Sequence, residues 1–263
     1  MKRRTFALQL AGAMLGLTRC AANPAGATQT KRLLVLTQTA GFRHDTIPNL
    51  VSYFRDMGAQ GAQWEVVEQA DSAEQVARAI TAARLREVNG VVFASTTGTL
   101  AFTPEGKQAF YDWMRSGGSF VGVHSATDTF HGDAEYQGLI GGEFETHGPQ
   151  VEVEVRVQDP SHPATQGLPA TFQIFDEIYE FKNWSRPTVH MLLSMPRHPQ
   201  SKAPGDFPLA WTRRYGSGRM FYTALGHRAD VIANPLWRQH VAGGTRWALG
   251  LANGDDTRGN PVR

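Results

Sequence analysis

The chain has 263 residues, of which 41% are hydrophobic and 19% are charged, and its formal net charge is +2. This length and composition predict one large globular core, because two comfortable domains would need a longer chain. The first 27 residues hold Lys2, Arg3, Arg4 and Arg19 and no acid, so the 26 basic and 24 acidic residues become 22 and 24 without them. No basic stripe for nucleic acid remains, and we expect no nucleic-acid partner.

The amino terminus has the pattern of an export signal. A basic cluster at residues 2–4 precedes an apolar run at residues 7–17, and Ala25-Gly26-Ala27 offers a small-residue cleavage site. The two adjacent arginines followed closely by Phe6 indicate the twin-arginine type. The apolar run is too short to span a bilayer as a permanent anchor. We therefore expect residues 1–27 to be cleaved and the mature protein to be periplasmic or secreted, without stable membrane insertion.

The only cysteine, Cys20, lies in the same segment. A processed chain therefore has no disulfide, no thiolate metal ligand and no cysteine nucleophile. Leu17 precedes Cys20 at the spacing of a lipoprotein signal, but Arg19 is a poor residue directly before a lipid-modified cysteine. The sequence favours simple cleavage over a lipid anchor.

From residue 31 to His124, predicted strands alternate with predicted helices. Apolar runs of strand length occupy residues 31–37, 63–68 and 88–94, and a fourth ends in His124; the helical patterns occupy residues 47–57, 72–80 and 103–116. This alternation predicts a mostly parallel sheet covered by helices on both faces, with right-handed crossovers.

After Asp128 the pattern changes. Residues 151–157 alternate strictly between apolar and polar, which predicts an antiparallel strand near a sheet edge. Further predictions are short strands at 176–181, 189–195 and 209–213, a buried strand at 219–227 and a helix at 235–249. The sequence shows no internal repeat and no long linker, so we predict a single domain over residues 28–252 and a disordered polar tail over residues 253–263.

Three histidines follow strands of the predicted sheet: His44 the first, His124 the fourth and His227 the last. The carboxyl ends of parallel strands share one edge, so we expect these side chains to converge. The glycine-flanked strand before His124 resembles a nucleophile elbow in which histidine replaces serine or cysteine. We expect a strained backbone there and a side chain at the rim of a pocket. Each histidine alone fits a structural role, but three equivalent positions favour a functional one.

Further polar candidates are Asp128, His147 and the acidic group 176–180. Imidazoles and carboxylates can divide acid and base roles or bind a divalent metal, although no spacing forms a local metal motif. The candidate metal ligands are His44, His124, His147 and His227. The nearby aromatic residues fit either a stacking wall for a sugar or core packing, and core packing is favoured; they are Tyr179, Phe181 and Trp184.

Four ordered motifs together resemble the ThuA-like (trehalose utilisation) family, at residues 41–45, 118–124, 176–179 and 222–227. The resemblance covers about residues 31–250. It implies the class I glutamine amidotransferase-like superfamily, whose fold is a flavodoxin-like three-layer α/β/α sandwich. It also implies a role in the use of disaccharides or glycosides, often beside oxidoreductases that make 3-keto sugars.

Transferred residue by residue, the resemblance implies roles for His44, His124, Glu177 and His227, and less directly for Asp128 and His147. His124 stands where an amidotransferase has its cysteine, so thioester chemistry and glutamine amidotransferase activity are excluded. Many family members have Trp or Tyr with Pro where this chain has residues 129–133, which leaves substrate specificity open.

We therefore predict an enzyme of carbohydrate metabolism, in which histidines and carboxylates at the sheet edge abstract and return protons. Its substrate would be a glycoside or keto-sugar, and its reaction that of a lyase, isomerase or hydrolase. A divalent metal cofactor is left open, as are the sugar and the oligomeric state. The alternative is a non-catalytic sugar-binding protein on the same fold, which would bind glycosides without turnover under every metal condition.

The export hypothesis predicts that the secreted protein begins near Thr28. Amino-terminal sequencing of the exported protein checks this start, and an intact Met1 in a cytoplasmic fraction would reject it. Replacing Arg3 and Arg4 by Lys should block export by a twin-arginine signal. Unchanged export of that variant would assign the signal to the general secretory type.

Overall fold

The computed structural model describes residues 29–262, so the predicted export signal lies outside the described residues. The strands are β1 (Lys31–Leu36), β2 (Trp64–Ala70), β3 (Gly90–Ala94), β4 (Ser119–Val123), β5 (Glu143–His147), β6 (Val151–Val157), β7 (Thr171–Asp176), β8 (Tyr179–Lys182), β9 (His190–Arg197), β10 (Pro204–Tyr215) and β11 (Gly218–Thr223). The α-helices are α1 (Ile47–Ala59), α2 (Ala73–Ala79), α3 (Ala82–Leu85), α4 (Pro104–Arg115), α5 (Ala134–Ile140), α6 (Ala229–Ala233) and α7 (Pro235–Ala248).

In the described part of the chain, nine strands form one sheet in the order β2-β1-β3-β4-β11-β10-β9-β6-β7. The five strands from β2 to β11 pair in parallel, and the remaining pairs are antiparallel. β5 and β8 form a separate antiparallel ribbon. The structure confirms the predicted α/β class with antiparallel additions in the second half. The parallel half brings the carboxyl ends of β1, β4 and β11 to one edge.

Helices α2 and α4 begin where the sequence places capping residues. The Thr103 side chain accepts a hydrogen bond from the Gly106 amide, and Pro104 occupies the first turn of α4. Ser72 and Gln75 form a capping box at the start of α2. These caps satisfy backbone donors that the first helical turn leaves without partners. They fix where each helix leaves the sheet edge.

Apolar side chains on the two faces of the sheet build two core regions. Leu33 and Val35 of β1 belong to one region, and Leu34 and Leu36 belong to the other, because successive side chains of a strand point to opposite faces. Helices α1 and α7 contribute to the first region and α2, α4 and α5 to the second. The result is a three-layer sandwich. Within residues 29–262, no helix has both the length and the apolar character needed to cross a bilayer.

The strand predicted at residues 176–181 corresponds to β8, and the structure adds β7 before it, which the sequence does not predict. β7 ends at Asp176 in the main sheet, and β8 begins at Tyr179 in the ribbon with β5. Glu177 therefore lies on the connection between two sheets. Short apolar runs do not reveal which sheet a strand joins, because strands of the main sheet and of the ribbon have a similar composition.

The carboxyl-terminal residues, for which the sequence predicts a disordered tail, make hydrogen bonds along β9. The Asn260 side chain accepts from the Met191 amide at 2.8 Å and donates to the Met191 carbonyl at 3.0 Å. The Thr257 carbonyl accepts from His190 Nδ1 at 2.8 Å. A polar segment without apolar periodicity gives no sequence signal for this kind of pairing, which depends on side-chain and backbone hydrogen bonds.

Candidate active site

Three histidines and one glutamate meet at the carboxyl edge of the parallel strands. His124 Nε2 lies 3.1 Å from His44 Nε2 and 3.3 Å from His227 Nδ1. Glu177 Oε2 lies 3.5 Å from His124 Nε2 and 3.3 Å from His227 Nδ1. We call these four residues the histidine-glutamate cluster. The structure thus brings together the three histidines whose convergence the sequence predicts, with Glu177 added from the connection between β7 and β8.

The backbone at His124 makes the sharp turn that the sequence predicts. His124 has a φ of 50°, an uncommon value for a residue other than glycine, and begins a 3₁₀ turn that ends at Asp128. Gly122 precedes it where a Cβ would approach Tyr222 and Phe120 within 3.1 Å. The hydroxyl of Tyr222 donates to the His124 carbonyl at 2.7 Å, which holds the turn in place.

The expected position of His124 at the rim of a pocket is wrong. Its side chain is fully buried, and its ring packs against Tyr179 with the ring centroids 4.4 Å apart. His124 therefore forms the base of the cluster, beneath His44 and His227. The resemblance to a nucleophile elbow predicts an exposed side chain because it depends only on the strand and its turn. In the structure, the ribbon of β5 and β8 covers this part of the sheet edge. Replacement of His124 should cost stability as well as function.

Hydrogen bonds fix the orientation of two imidazoles in the cluster. His124 Nδ1 donates to the Ala224 carbonyl at 2.8 Å, because a carbonyl oxygen can only accept. His124 Nε2 consequently carries a lone pair toward the cluster when the ring is neutral. His44 Nδ1 lies 3.4 Å from the Ser125 hydroxyl, which leaves His44 Nε2 facing His124. The sequence gives Ser125 no such role, because its partner is 81 residues away in the chain.

Asp176 positions the segment that carries His227. Its Oδ2 accepts a hydrogen bond from the Gly226 amide at 2.8 Å, and Gly226 has a φ of 132° that side-chain-bearing residues rarely adopt. Burial raises the pKa of Asp176. Asp176 is a positioning residue, since it acts on the chain next to His227.

The protonation of the cluster is uneven. Burial, together with the neighbouring His124, lowers the pKa of His44 to about 3, so this ring is neutral at neutral pH. Burial opposes ionisation of Glu177, but its neighbours His124 and His227 hold its pKa below the usual range. The hydrogen bond to Glu177 in turn raises the pKa of His227. The cluster thus combines a neutral imidazole with a carboxylate and a more basic imidazole.

The four residues of the cluster could also hold a metal ion. Each offers one ligand atom, and these atoms all lie within 4.8 Å of one another. Glu177 therefore takes the place of His147 in the set of candidate ligands that the sequence gives. His147 Nδ1 lies 3.3 Å from Glu177 Oε1 and its side chain is 42% exposed, so it stands at the outer side of the cluster.

Asp128 lies in a neighbouring ionic network. Its carboxylate pairs with His131, whose Nδ1 lies 2.9 Å from Glu143 Oε1. Lys182 Nζ lies 2.9 Å from the same Glu143 oxygen. Asp128 is therefore outside the histidine-glutamate cluster. His131 and Glu143 are not among the residues predicted from the sequence, although the i,i+3 spacing of Asp128 and His131 in a turn is a signal for such a pair.

A pocket of about 470 Å³ opens beside the cluster. Its lining includes His44, His227 and the exposed ring of Phe42, together with Asp45 and Arg228. Phe42 is 67% exposed, and its ring centroid lies 4.9 Å from that of His44. The pocket has the size and the mixture of aromatic and polar groups typical of a small-molecule site. His44 and His227 are the members of the cluster that line it.

The aromatic residues considered for a sugar-stacking wall mainly pack in the interior. Tyr179 is 4% exposed, between His124 and Phe144. Phe181 and Trp184 pack against Trp211 and also line a separate cavity of about 240 Å³. The structure thus favours the core-packing interpretation of these residues, and Phe42 is the exposed aromatic ring beside the cluster.

The architecture places the chain in the class of three-layer α/β/α sandwiches, with a histidine in the turn after β4. The profile of the ThuA family, described as trehalose utilisation, matches residues 32–248. The chain therefore belongs to the ThuA family, as the four sequence motifs indicate.

Solved structures show the same relationship. A ThuA-like protein from Parabacteroides merdae ATCC 43184 superposes with a TM-score of 0.70 at 17% identity, over 83% of this chain and 90% of that chain. A ThuA-like protein from Bacteroides uniformis ATCC 8492 gives 0.68 at 25% identity, over 87% and 94%. No curated protein matches the chain significantly.

The Glu143 network predicts a pH-dependent stability. Burial opposes ionisation of Glu143, but hydrogen bonds from Lys182 and His131 lower its pKa from 4.5 to about 2. The unfolded chain therefore takes up this proton first as the pH falls. The stabilisation is complete above pH 4.5 and is lost on going down to about pH 2. We expect Glu143→Gln to lose about 1 kcal/mol near neutral pH, since solvent screens the partly exposed partners.

Chemical denaturation of both proteins across this acidic range measures the effect. Glu145→Gln is the matched control, because Glu145 is exposed on the same strand. The gap between the wild type and Glu143→Gln should close as the pH falls, whereas Glu145→Gln should follow the wild type. A constant gap would show that the ionised carboxylate of Glu143 is not the source of the stabilisation.

Proposed function

We propose that this ThuA-family protein is an enzyme that acts on a glycoside or keto-sugar, and that the histidine-glutamate cluster is its reaction centre. The observation that carries the proposal is the convergence of His44, His124, His227 and Glu177 at the end of a pocket with an exposed aromatic ring. The trehalose-utilisation family supplies the carbohydrate class. The proposal includes export of the mature chain, which rests on the sequence of the first 27 residues.

The composition of the pocket supports a sugar ligand. A pyranose ring presents a face of C–H groups, which packs on an aromatic ring, and an edge of hydroxyl groups, which needs polar partners. Phe42 supplies the aromatic face. Arg228 and Asp45 line the same pocket, and Arg228 is held by hydrogen bonds to Gln150 and Asp230. The planar guanidinium of Arg228, fixed before binding, favours recognition of hydroxyl groups.

The cluster provides proton donors and acceptors for chemistry next to a carbonyl group. In a 3-keto-glycoside the C–H bond at C2 is acidified by the C3 carbonyl. A base of the site removes this proton, the electron pair forms the C1=C2 bond, the C1–O bond breaks, and the leaving oxygen receives a proton. The same proton removal followed by return at another carbon gives isomerisation. His44 and His227 are the cluster residues that reach the pocket, and Glu177 orients the His227 ring.

The alternative function is sugar binding without turnover. Sugar binding alone would use the pocket and Phe42, but it would not require the buried histidine-glutamate cluster. The strained turn at His124 and the buried polar groups around it cost stability, which favours a catalytic role over a binding role alone. Screening of glycosides and 3-keto-glycosides for turnover, with and without added divalent metals, separates the two functions.

His227→Gln is expected to lower kcat/KM for the keto-sugar substrate by about 10²–10⁴-fold, the range typical of a lost acid-base group. His227 suits this test better than His124, because its side chain is 20% exposed and its replacement disturbs less packing. His198→Gln is the control, since His198 pairs with Glu180 away from the cluster. Steady-state kinetics and thermal melts should be measured on the same preparations of each variant. Full activity in folded His227→Gln would contradict the proposed centre.

Phe42→Ala is expected to raise KM about tenfold with little change in kcat, because the ring would bind the sugar without taking part in bond changes. Phe42→Tyr should restore most of the affinity, since it keeps the aromatic face. Titration with a glycoside that the enzyme binds but does not convert measures binding separately from turnover. A single exposed aromatic residue is common on protein surfaces, and an unchanged KM in Phe42→Ala would assign Phe42 to that class.

A further inference from the structure

We propose that the histidine-glutamate cluster binds one divalent metal ion of the zinc class, with His44, His124, His227 and Glu177 as its ligands. This inference deepens the proposed function and rests on it only for the part that the ion plays in the reaction. The binding itself follows from the arrangement of the four side chains. Three imidazole nitrogens and one carboxylate oxygen are a ligand set that suits zinc and neighbouring first-row ions.

The separations of the ligand atoms fit a single ion. Metal bonds of 2.0–2.2 Å in a tetrahedral site place neighbouring ligand atoms about 3.3–3.6 Å apart. His124 Nε2 lies 3.1 Å from His44 Nε2, 3.3 Å from His227 Nδ1 and 3.5 Å from Glu177 Oε2. The distance from His227 Nδ1 to Glu177 Oε2 is 3.3 Å. All the ligand atoms lie within 4.8 Å of one another. The remaining separations extend to 4.8 Å, so one ion can contact all four atoms once the side chains close in by about 1 Å.

The hydrogen-bond pattern around His124 also calls for a cation. Its Nδ1 donates to the Ala224 carbonyl, so its Nε2 presents either one lone pair or one N–H to the cluster. Three polar atoms from His44, His227 and Glu177 crowd this nitrogen within 3.5 Å. One lone pair or one N–H makes one good hydrogen bond, so hydrogen bonds alone cannot serve all three contacts well. A shared cation satisfies all of them at once.

The groups behind the ligands have the arrangement found around metal sites. Ligating histidines usually give their second ring N–H to a carbonyl, carboxylate or similar partner, which fixes the ring. His124 does so to Ala224, and His44 Nδ1 faces the Ser125 hydroxyl. Glu177 Oε1 faces His147, which leaves Oε2 toward the cluster. The ligands are thus held in position from outside.

The ion would be accessible to a substrate. His44 and His227 line the 470 Å³ pocket, so one side of the ion faces that space. A bound ion would supply a Lewis acid at this place, which would stabilise negative charge on the oxygen of a keto-sugar when a neighbouring proton leaves. With an ion bound, His44 and His227 would be metal ligands in place of the proton-transfer roles that they have in the ion-free cluster. A pocket group outside the ligand set, such as Asp45, would then exchange the proton. The proposed keto-sugar reaction and its location in the pocket beside the cluster would be the same with or without the ion.

Metal content of the full-length, untagged protein tests the proposal. The protein is stripped with a chelator, incubated with Zn²⁺, Mn²⁺ or Co²⁺ in turn, dialysed and measured by elemental mass spectrometry. We expect one equivalent of Zn²⁺ or Co²⁺ per chain and a rise in Tm on loading. Co²⁺ should give visible absorption bands that report nitrogen and oxygen ligands.

Variants assign the ion to the cluster. His227→Gln and Glu177→Gln should weaken binding of Zn²⁺ by more than about 100-fold, and Ser125→Ala by about 10–100-fold, as expected for a partner behind a ligand. His198→Gln should bind as the wild type does. Circular dichroism of each stripped variant verifies that it is folded, and His227→Gln keeps the test valid if a more buried variant does not fold.

Two outcomes would overturn the proposal: a folded wild-type protein that retains no ion after loading, or full retention in folded His227→Gln and Glu177→Gln. Neither outcome involves turnover. If the wild-type protein binds no ion but converts a keto-sugar, the proposed function stands with direct proton transfer by the cluster. If it binds the ion but converts no carbohydrate, the metal site stands and the proposed function fails.

Discussion

The parallel pairing of β4 with β11 is the interaction on which the rest of the site depends. Its register sets Val123 opposite Thr223, so the residues just beyond the two strand ends, His124 and Ala224, face each other. The carbonyl of Ala224 can then accept from His124 Nδ1, which fixes the ring at the base of the cluster. A shift of one residue in this register would remove that partner and move the following His227 away from the cluster. The buried backbone of the sheet thus sets the geometry of the side chains.

Much of the site could be predicted because strand ends are visible in the sequence. Apolar runs that stop before His44, His124 and His227 place these residues at one edge once the sheet is known to be parallel. The position of Glu177 depends on the break between β7 and β8, for which the sequence has no periodic signal. The role of Phe42 depends on loops that meet only in the folded chain. Asp128 shows the opposite error, since its nearness in sequence does not bring it into the cluster.

The histidine-glutamate cluster and its surroundings lower the stability of the fold, which indicates that they have a function. His124 and Asp176 are fully buried polar side chains, and His124 has a strained backbone. Buried polar groups stabilise a fold only when their hydrogen bonds are complete, and an apolar core would avoid the cost. The interior of the same strands uses ordinary apolar packing, as Leu33 of β1 and Val121 of β4 show. Such local conflicts with good packing are expected at functional sites.

A crystal structure of the metal-loaded protein with a non-reacting glycoside tests the central claim most directly, because it locates the ion and the sugar independently of turnover. We predict an anomalous signal within bonding distance of His44, His124, His227 and Glu177, and a sugar ring against Phe42 with its reacting carbon facing this centre. A sugar bound in another cavity, with the histidine-glutamate cluster contacting neither ligand nor ion, would contradict the assignment of this cluster as the reaction centre.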